Sequence, residues 1–367
     1  MKVKVGLVKC NTYDSEELDK ALAEAMDLSG GIEVKGKKIL LNPNILSDSD
    51  PSKAISTHPE FVKAVIKYMQ KKGALKIYVG DSPAGPKSDF SGKKSGIRQI
   101  TEETGSKWID FSKDTTTIRT ESGKKAKDFK VTSIIDEVDM VISLPKMKTH
   151  QYMLYTGAVK NLFGLIPGLA KATYHVSYLS RNSFGEMLLD LLEAVKPSYS
   201  IMDAVIGMEG PGPGSGYPRP VKLILASPNA VALDSIASTI IGYDPKLIPT
   251  NYLALKRDLG LKHFSDITVE GLTVKETKIE DYKLIKSRNS LSIILDHLHI
   301  RIFERWQQKR KPKPYFIEEK CIKCGKCIEI CASNANWFEV GSENKFVAVD
   351  YNKCIRCYCC HEICPVD

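Results

Sequence analysis

The chain has 367 residues, of which 43% are hydrophobic and 26% are charged. This composition is ordinary for a globular protein with a sizeable core, and it excludes collagen-like, low-complexity and disordered acidic chains. The net charge is +9, but much of the excess lies in residues 286–313, where eight lysines and arginines stand against two acids. A nucleic-acid-binding domain would carry a basic face with aromatics among the charges, so we expect no specific nucleic-acid partner.

The N-terminal residues alternate like a strand and lack the apolar core and cleavage site of a signal peptide. No stretch reaches the length of about eighteen apolar residues that a membrane span needs. We therefore expect a cytoplasmic protein. Ten cysteines in such a chain indicate metal or redox chemistry, and Cys10, alone on a predicted strand, is expected to be a small buried hydrophobe.

Residues 1–285 show strand and helix patterns in alternation. The predicted strands, in chain order, are VKVGLV, KILLNP, LKIYVGDSP, VDMVISLPK, YSIMDAVIG and VKLILASP. Helical patterns include HPEFVKAVIKYMQKKGA, GEMLLDLLEAVKP and NAVALDSIASTIIGYDP, the last opening at Asn229 and closing at Gly242. These patterns predict an α/β domain with a mostly parallel sheet covered by helices on both faces. Ligands of such sheets sit outside the carboxyl ends of the strands.

Polar side chains follow two of the predicted strands. Asn42 and Asn44 come after the second strand, and Asp81 comes after the third. Each one alone is explained most simply as a cap or turn residue. Together they are candidate residues for binding a substrate or cofactor at the carboxyl edge of the sheet.

A third polar segment, SLPKMKTHQYMLYTGAVKNLFG, is richer in charge. It carries Lys146, Lys148, His150, Lys160 and Asn161 among apolar and small residues. Because ammonium groups bind phosphate and carboxylate as point charges, we expect a pocket for a small anionic substrate here. The later run MEGPGPGSGYPRP lacks the helix that a phosphate loop needs after it, and is expected to be a mobile loop over a site.

Residues 286–314 are a predicted basic connector. Its first part, SLSIILDHLHIRIFERW, has a helical apolar stripe and is expected to dock on its own protein. A basic amphipathic helix at 290–311 that lies on a membrane surface or binds a partner is the alternative.

Residues 315–367 form a predicted second domain, after the connector, with a repeated cysteine motif. The x2, x2, x3 spacing occurs at Cys321, Cys324, Cys327 and Cys331, and again at Cys354, Cys357, Cys360 and Cys364. Three thiolates so spaced wrap one [4Fe–4S] cube, and the fourth ligand comes from the other motif. The predicted sets are Cys321, Cys324, Cys327 and Cys364 for one cluster, and Cys354, Cys357, Cys360 and Cys331 for the other. Four-cysteine zinc sites and a Rieske-type role for His361 are the alternatives. Cys359 is spare.

The last fifty or so residues resemble the bacterial two-cluster ferredoxins, which implies a small α+β ferredoxin-like domain with two [4Fe–4S] clusters. Ala332 stands after Cys331 where that family usually has proline, and the closing strand typical of such modules is missing. We therefore expect one cluster to be more exposed, or to be covered by the large domain or a partner.

The segments LLNPN, GDSP, SLPKMKTH, GAVKNLFG, DAVIGMEGPGP and NAVALDSIAS resemble, in this order, the family catalogued as domain of unknown function 362. The resemblance covers nearly the whole chain. It implies an iron–sulfur protein from an anaerobe and brings no established reaction.

One stretch, HQYMLYTGAVKNLFGLIPGLAKATYH, is also similar to the lactate racemase family. In that family a lysine tethers a nickel-pincer nucleotide, and histidines act as acid–base catalyst and metal ligand. The resemblance implies an acid–base role for His150, the tether role for Lys160 and the ligand role for His175, with an organic or nucleotide cofactor in the α/β domain.

Three functions follow from these observations. The first is an oxidoreductase-like protein whose clusters pass electrons to or from a substrate, cofactor or redox partner protein held by the α/β domain. The second is an electron carrier or adaptor without its own chemistry. The third is an acid–base enzyme like lactate racemase.

Overall fold

The computed structural model describes residues 2–47, 49–83, 92–111, 113–168, 170–285, 312–340 and 345–366. Most of the predicted connector, including the helix and the membrane-surface role considered for 290–311, lies outside these residues. Within them, no helix combines the length and the apolar character that crossing a membrane requires.

Most of the described strands of residues 2–285 join one large sheet. The described strands of this region, in chain order, are β1 (Val3–Lys9), β2 (Lys38–Pro43), β3 (Lys76–Val79), β4 (Lys107–Trp108), β5 (Thr115–Arg119), β6 (Asp128–Thr132), β7 (Met140–Leu144), β8 (Lys146–His150), β9 (Leu154–Thr156), β10 (Tyr199–Glu209), β11 (Tyr217–Ser227) and β12 (Ile267–Gly271). The order is β12–β1–β11–β10–β7–β2–β3–β4, with β8 joining β10 and β9, whereas β5 and β6 form a separate hairpin. The block from β10 through β7, β2 and β3 to β4 is parallel, and β11 is antiparallel to both its neighbours.

Helices cover both faces of this sheet. They are α1 (Ser15–Leu28), α2 (Pro59–Lys71), α3 (Ile97–Glu103), α4 (Ala158–Asn161), α5 (Ala170–Ser177), α6 (Arg181–Val195), α7 (Ala230–Ile240), α8 (Pro249–Lys256) and α9 (Val274–Thr277). Side chains alternate along a strand, so Ile39 and Leu41 pack in the core with α1 and α2, while Leu40 packs in the core with α6 and α7. The predicted α/β fold is confirmed.

Local sequence explains where individual elements end. Asn229 caps α7, because its Oδ1 accepts a hydrogen bond from the Ala232 N–H at 2.9 Å. Gly242 follows with a φ of 99°, a left-handed conformation that only glycine adopts without cost. Cys10 is fully buried directly after β1, as its apolar surroundings predicted.

The C-terminal module is small and internally repeated. It contains α10 (Lys326–Glu329), the antiparallel hairpin of β13 (Asn336–Val340) and β14 (Lys345–Val349), and α11 (Cys359–Ile363). The backbone repeats with the cysteine motif: Lys323 and Arg356 have φ of 56° and 52°, and Gly325 and Tyr358 have φ of 77° and 67°. The two cysteine loops therefore have the same fold, and each leads into a short helix. The domain boundaries expected at 285 and 314 stay predictions.

Candidate functional site

The short helix α4 is held at its N-terminus by a buried carboxylate. Asp234, on α7, accepts hydrogen bonds from the N–H groups of Ala158 at 2.6 Å and Val159 at 3.0 Å. Its carboxylate lies so close to Gly157 that any Cβ there would overlap it. Burial raises the pKa of Asp234 to about 7, although both backbone hydrogen bonds act against that rise. Asp234 thus sets the position of α4 and of Lys160, which α4 carries.

A second buried carboxylate joins two strand ends to the helical turn after α4. Asp81 Oδ2 accepts from the Ile45 N–H at 2.5 Å, and its Oδ1 accepts from the Ser82 N–H at 2.8 Å. A Cβ at Gly164 would overlap Asp81 Oδ1. Both glycines of GAVKNLFG are therefore required by a facing aspartate, Gly157 by Asp234 and Gly164 by Asp81.

The two asparagines predicted at this edge meet. Asn161 Nδ2 donates to the Asn42 carbonyl at 2.8 Å and to Ser143 Oγ at 3.1 Å. Asn42 Nδ2 donates to the Gly80 carbonyl at 3.0 Å. Among the described residues, Asn42 Oδ1 and Asn161 Oδ1 are buried without a hydrogen-bond donor. Because such acceptors are costly to leave unsatisfied, they favour a water or ligand at this position.

The fully buried strand β8 carries a row of ionisable groups. At one end Lys146 Nζ donates to Asp203 Oδ2 and to the Tyr13 hydroxyl, each at 2.8 Å. Lys148 Nζ donates to Asn44 Oδ1 and to the Ile55 carbonyl, each at 2.7 Å. Lys146 was expected to belong to the anion pocket, but its ammonium group forms an ion pair with Asp203. Burial, and then the charge of Lys160, lower the pKa of Lys148 to about 7.

His150 ends the row and is held neutral. Its Nδ1 accepts hydrogen bonds from the N–H groups of Tyr152 at 3.0 Å and Met153 at 3.3 Å, which puts its proton on Nε2. Burial, and then the charge of Lys160, hold its pKa well below the usual range. Nε2 lies 3.3 Å from Glu362 Oε1, although within the described chain neither atom completes a hydrogen bond.

A cavity of about 60 Å³ lies beside this row, and most of the predicted residues reach it. Its polar lining includes Asn44, Asp81, Thr156, Lys160, Asn161, Lys171, His175 and Glu362. Lys160 makes no hydrogen bond or ion pair with another side chain in the described part of the chain. Lys171, from α5, donates to the Ser82 carbonyl. Burial lowers the pKa of Lys160, and it lowers the pKa of Lys171 to about 8.

Helix α11 of the C-terminal module closes this cavity. Cys359 and Glu362 line it, and Cys359 packs with Ala172 of α5 and Ile330 in a small apolar cluster. Burial raises the pKa of Glu362, whereas Lys160, Lys148 and Lys171 act in the opposite direction. The large domain therefore covers one side of the module, and the module supplies part of the pocket.

The cysteines gather in two groups. Burial raises the pKa of Cys327 to about 11, and the neighbouring Cys324, Cys321 and Cys364 raise it too. Burial likewise raises the pKa of Cys360 to about 12, where Cys357, Cys354 and Cys331 are the next contributors. For each of these two thiols, the largest effects after that of burial come from two cysteines of its own motif and the last cysteine of the other, and Cys327 also raises the pKa of Cys360.

The space around these thiols fits an iron–sulfur group. A cavity of about 550 Å³ is lined by six of the eight motif cysteines: Cys321, Cys331, Cys354, Cys357, Cys360 and Cys364. The Ala335 N–H donates to Cys331 Sγ at 3.1 Å, a contact of the kind that tunes cluster potentials. Among the described residues, no group of three or more Cys, His, Asp or Glu side chains is arranged so that it could bind a single metal ion. A cube of four irons spreads its cysteines more widely than one ion does.

The glycine-proline loop, expected to lie over a site, borders the cavity of the cysteines. It connects β10 to β11, and its Pro211 and Ser215 line the cavity of the cysteines, not that of the lysines. Gly214 approaches the module closely, since a Cβ there would lie 3.1 Å from the Glu362 carbonyl oxygen. The loop therefore contacts the C-terminal module.

The structure adds residues that were not singled out from the sequence. Lys171 lies in GLAKATYH, within the segment similar to the lactate racemase family, and this was the available signal. Asp234 and Asp203 act from elements distant in sequence. Glu362 had no local signal, because its role depends on how the module packs against the large domain.

Most of the chain is similar in sequence to known proteins. The family described as "Domain of unknown function (DUF362)" matches residues 39–239, and the family "4Fe-4S dicluster domain" matches residues 313–365. A relative, the "Thylakoid-associated protein sll1697" of Synechocystis sp., is 33% identical over 295 residues, which are 77% of this chain and 88% of that protein. The cytoplasmic location expected for this chain stays a prediction, as does an anaerobic source.

Two solved structures show weaker similarity. One is a protein from Thermotoga maritima, with 13% identity and a TM-score of 0.38 over 69% of this chain. The other is the lactate racemase apoprotein from Thermoanaerobacterium thermosaccharolyticum, with 12% identity and a TM-score of 0.40 over 63% of this chain. The chain spans 61% and 55% of the length of those two proteins.

The dicluster domain gives the protein an iron–sulfur electron-transfer role. The DUF362 match covers more than half of the chain and includes β2, β3, α4 and α7, which position the lysine pocket. This chain belongs to the DUF362 family, with a 4Fe-4S dicluster domain at residues 313–365.

Proposed function

We propose that the chain is a redox protein in which two [4Fe–4S] clusters exchange electrons with a small anionic substrate or cofactor bound by lysines of the α/β domain. One observation carries this proposal. Helix α11 bears Cys360, assigned to a cluster, and also Cys359 and Glu362, which line the lysine pocket. The pocket and a cluster site therefore share one short helix.

The residues proposed to hold the clusters follow the motif spacing. Cys321, Cys324, Cys327 and Cys364 would hold one cluster, and Cys354, Cys357, Cys360 and Cys331 would hold the other. When bound, such clusters accept and give single electrons.

The lysine pocket is suited to hold an anion in a dry environment. Lys160 and Lys171 bind it as point charges, and burial strengthens that attraction. Helix α11 excludes water from the side facing the module. His150 is neutral, and its Nε2 lies 3.3 Å from Glu362 Oε1 without a completed hydrogen bond, so a donor stands beside the two cations of the pocket.

Reduction potentials test the link between pocket and clusters. We expect Lys160→Met to make one cluster potential more negative, because a nearby cation stabilises the more negative reduced cluster. The measurement is a redox titration of the anaerobically reconstituted full chain, followed by electron paramagnetic resonance without added anion. Lys71→Met, an exposed change on α2, is the matched control and should leave both potentials unchanged. If Lys160→Met also leaves both unchanged, the proposed link is wrong.

An acid–base enzyme is a second candidate, favoured by one observation. Lys160 and His175 line the same cavity, and His150 is neutral and 3.3 Å from the carboxylate of Glu362. A neutral histidine beside a bound substrate carboxylate is suited to proton transfer. Incorporation of solvent deuterium into lactate would support this candidate, and loss of that exchange in His150→Gln would assign the proton to His150.

A further inference from the structure

The carboxylate of Glu362 lies in a site whose cations belong to another domain. Its side chain is 8% exposed, and the charges that act on it most are those of Lys160, Lys148 and Lys171 of the α/β domain. Its Oε1 is 3.3 Å from His150 Nε2. Within the described residues, that oxygen accepts no hydrogen bond. The lysine pocket thus already contains a buried carboxylate, one oxygen of which accepts no hydrogen bond from the described residues.

The internal repeat of the module shows that this burial is not a property of the cysteine motif. Glu329 stands two residues after Cys327, as Glu362 stands two residues after Cys360. Glu329 lies at the end of α10 and is exposed, whereas Glu362 is buried. The two glutamates stand at matching positions of the repeated motif. One is buried and the other is exposed because they face different surroundings.

The charged side chains that line the pocket are balanced in number only with Glu362 in place. Two lysines, Lys160 and Lys171, and two carboxylates, Asp81 and Glu362, line the cavity. Asp81 is held by backbone N–H groups and cannot leave. Without Glu362 the lining would keep two lysines and one carboxylate. The cavity of about 60 Å³ left beside Glu362 admits only a small group.

We propose that the substrate of this pocket carries a carboxylate, and that Glu362 occupies the position of that carboxylate until the substrate displaces it. The substrate carboxylate then takes the place of Glu362 in the cavity that Lys160 and Lys171 line, near His150 Nε2. Binding in the pocket is thereby coupled to the packing of α11, the helix that also bears Cys360. This inference rests on the proposed function and names its substrate class.

Acetate is the probe, because it is the carboxylate of a glutamate side chain without the chain. We expect Glu362→Gln and Glu362→Ala to bind acetate about tenfold more tightly than the natural chain, since each removes a competing charge. The dissociation constant is measured by calorimetry on the anaerobically reconstituted full chain. Glu329→Gln and Glu329→Ala are the matched controls in the repeated loop and should bind acetate as the natural chain does. Iron and sulfide contents equal to those of the natural chain show that each variant is folded.

Two results would overturn the proposal. The first is acetate affinity in both folded Glu362 variants that is no higher than in the natural chain. The second is tighter binding of inorganic phosphate than of acetate by Glu362→Ala, which would make the ligand a phosphate. Neither result depends on electron transfer, and the potentials with Lys160→Met are measured without acetate. A failure of this inference is therefore separate from a failure of the proposed function.

Discussion

Single residues position the lysines of the pocket through close backbone contacts. Gly157 faces Asp234 and Gly164 faces Asp81, and neither position has space for a Cβ. The two aspartates are buried and accept N–H groups of the backbone they touch. A buried carboxylate with such donors is far more costly to remove than an exposed one.

Asp234→Ala should lower the free energy of unfolding by about 1–3 kcal/mol, because the N–H groups of Ala158 and Val159 would be left buried without an acceptor. Urea titration followed by circular dichroism measures this. Asp281→Ala is the control, since Asp281 is exposed and pairs with Arg219 at the surface. That control should cost less than about 1 kcal/mol. Equal losses in the two variants would contradict the role given to Asp234.

Acetate binding should weaken as the pH rises from 7 to 9. The pKa of Lys148 lies at about 7 and that of Lys171 at about 8, both below the ordinary value because of burial. Above these values the ammonium groups lose their protons, and the anion loses their attraction. The charged groups facing Lys171 are Asp81, Lys160 and Glu362. Calorimetry across this range in Glu362→Gln is the measurement, and an affinity that is constant or rises to pH 9 would contradict it.

At the scale of elements, periodicity and spacing predicted the features that residues close together in the sequence determine, namely the strands and helix ends. The apolar runs gave the strands β1, β2, β3, β7, β10 and β11, and the Asn229 cap gave the start of α7. The register between parallel strands brought Asn42 level with Ser143 and close to Asp81, as expected for strand ends at one edge. The cysteine spacing predicted two ligand sets that mix the two motifs, and these sets stay a prediction.

Features that depend on distant elements were not predictable in this way. Lys146 and Lys148 are two residues apart on one strand and share a face, yet Lys146 pairs with Asp203 of β10 while Lys148 contacts Asn44. The burial of Glu362 depends on packing between domains, and the same motif leaves Glu329 exposed. A single sequence shows which charges are present, but not which of them neutralise one another.

For the whole molecule, the main consequence is that the pocket is complete only when the module is in place. The α/β domain supplies the lysines, and α11 supplies Cys359 and Glu362. The large domain packs on the module through Ala172, which contacts Ile330 and Cys359. Contacts of the β10–β11 loop with the module add to the same interface.

The most direct test of this account asks whether an anion in the lysine pocket is close to a reduced cluster. Acetate labelled with carbon-13 at the carboxylate is added to reduced protein, and electron–nuclear double resonance measures the coupling of that carbon to the cluster spin. We expect a coupling in Glu362→Gln that is absent in the double variant that also carries Lys160→Met. Bound acetate without any such coupling would show that the pocket and the clusters do not act together.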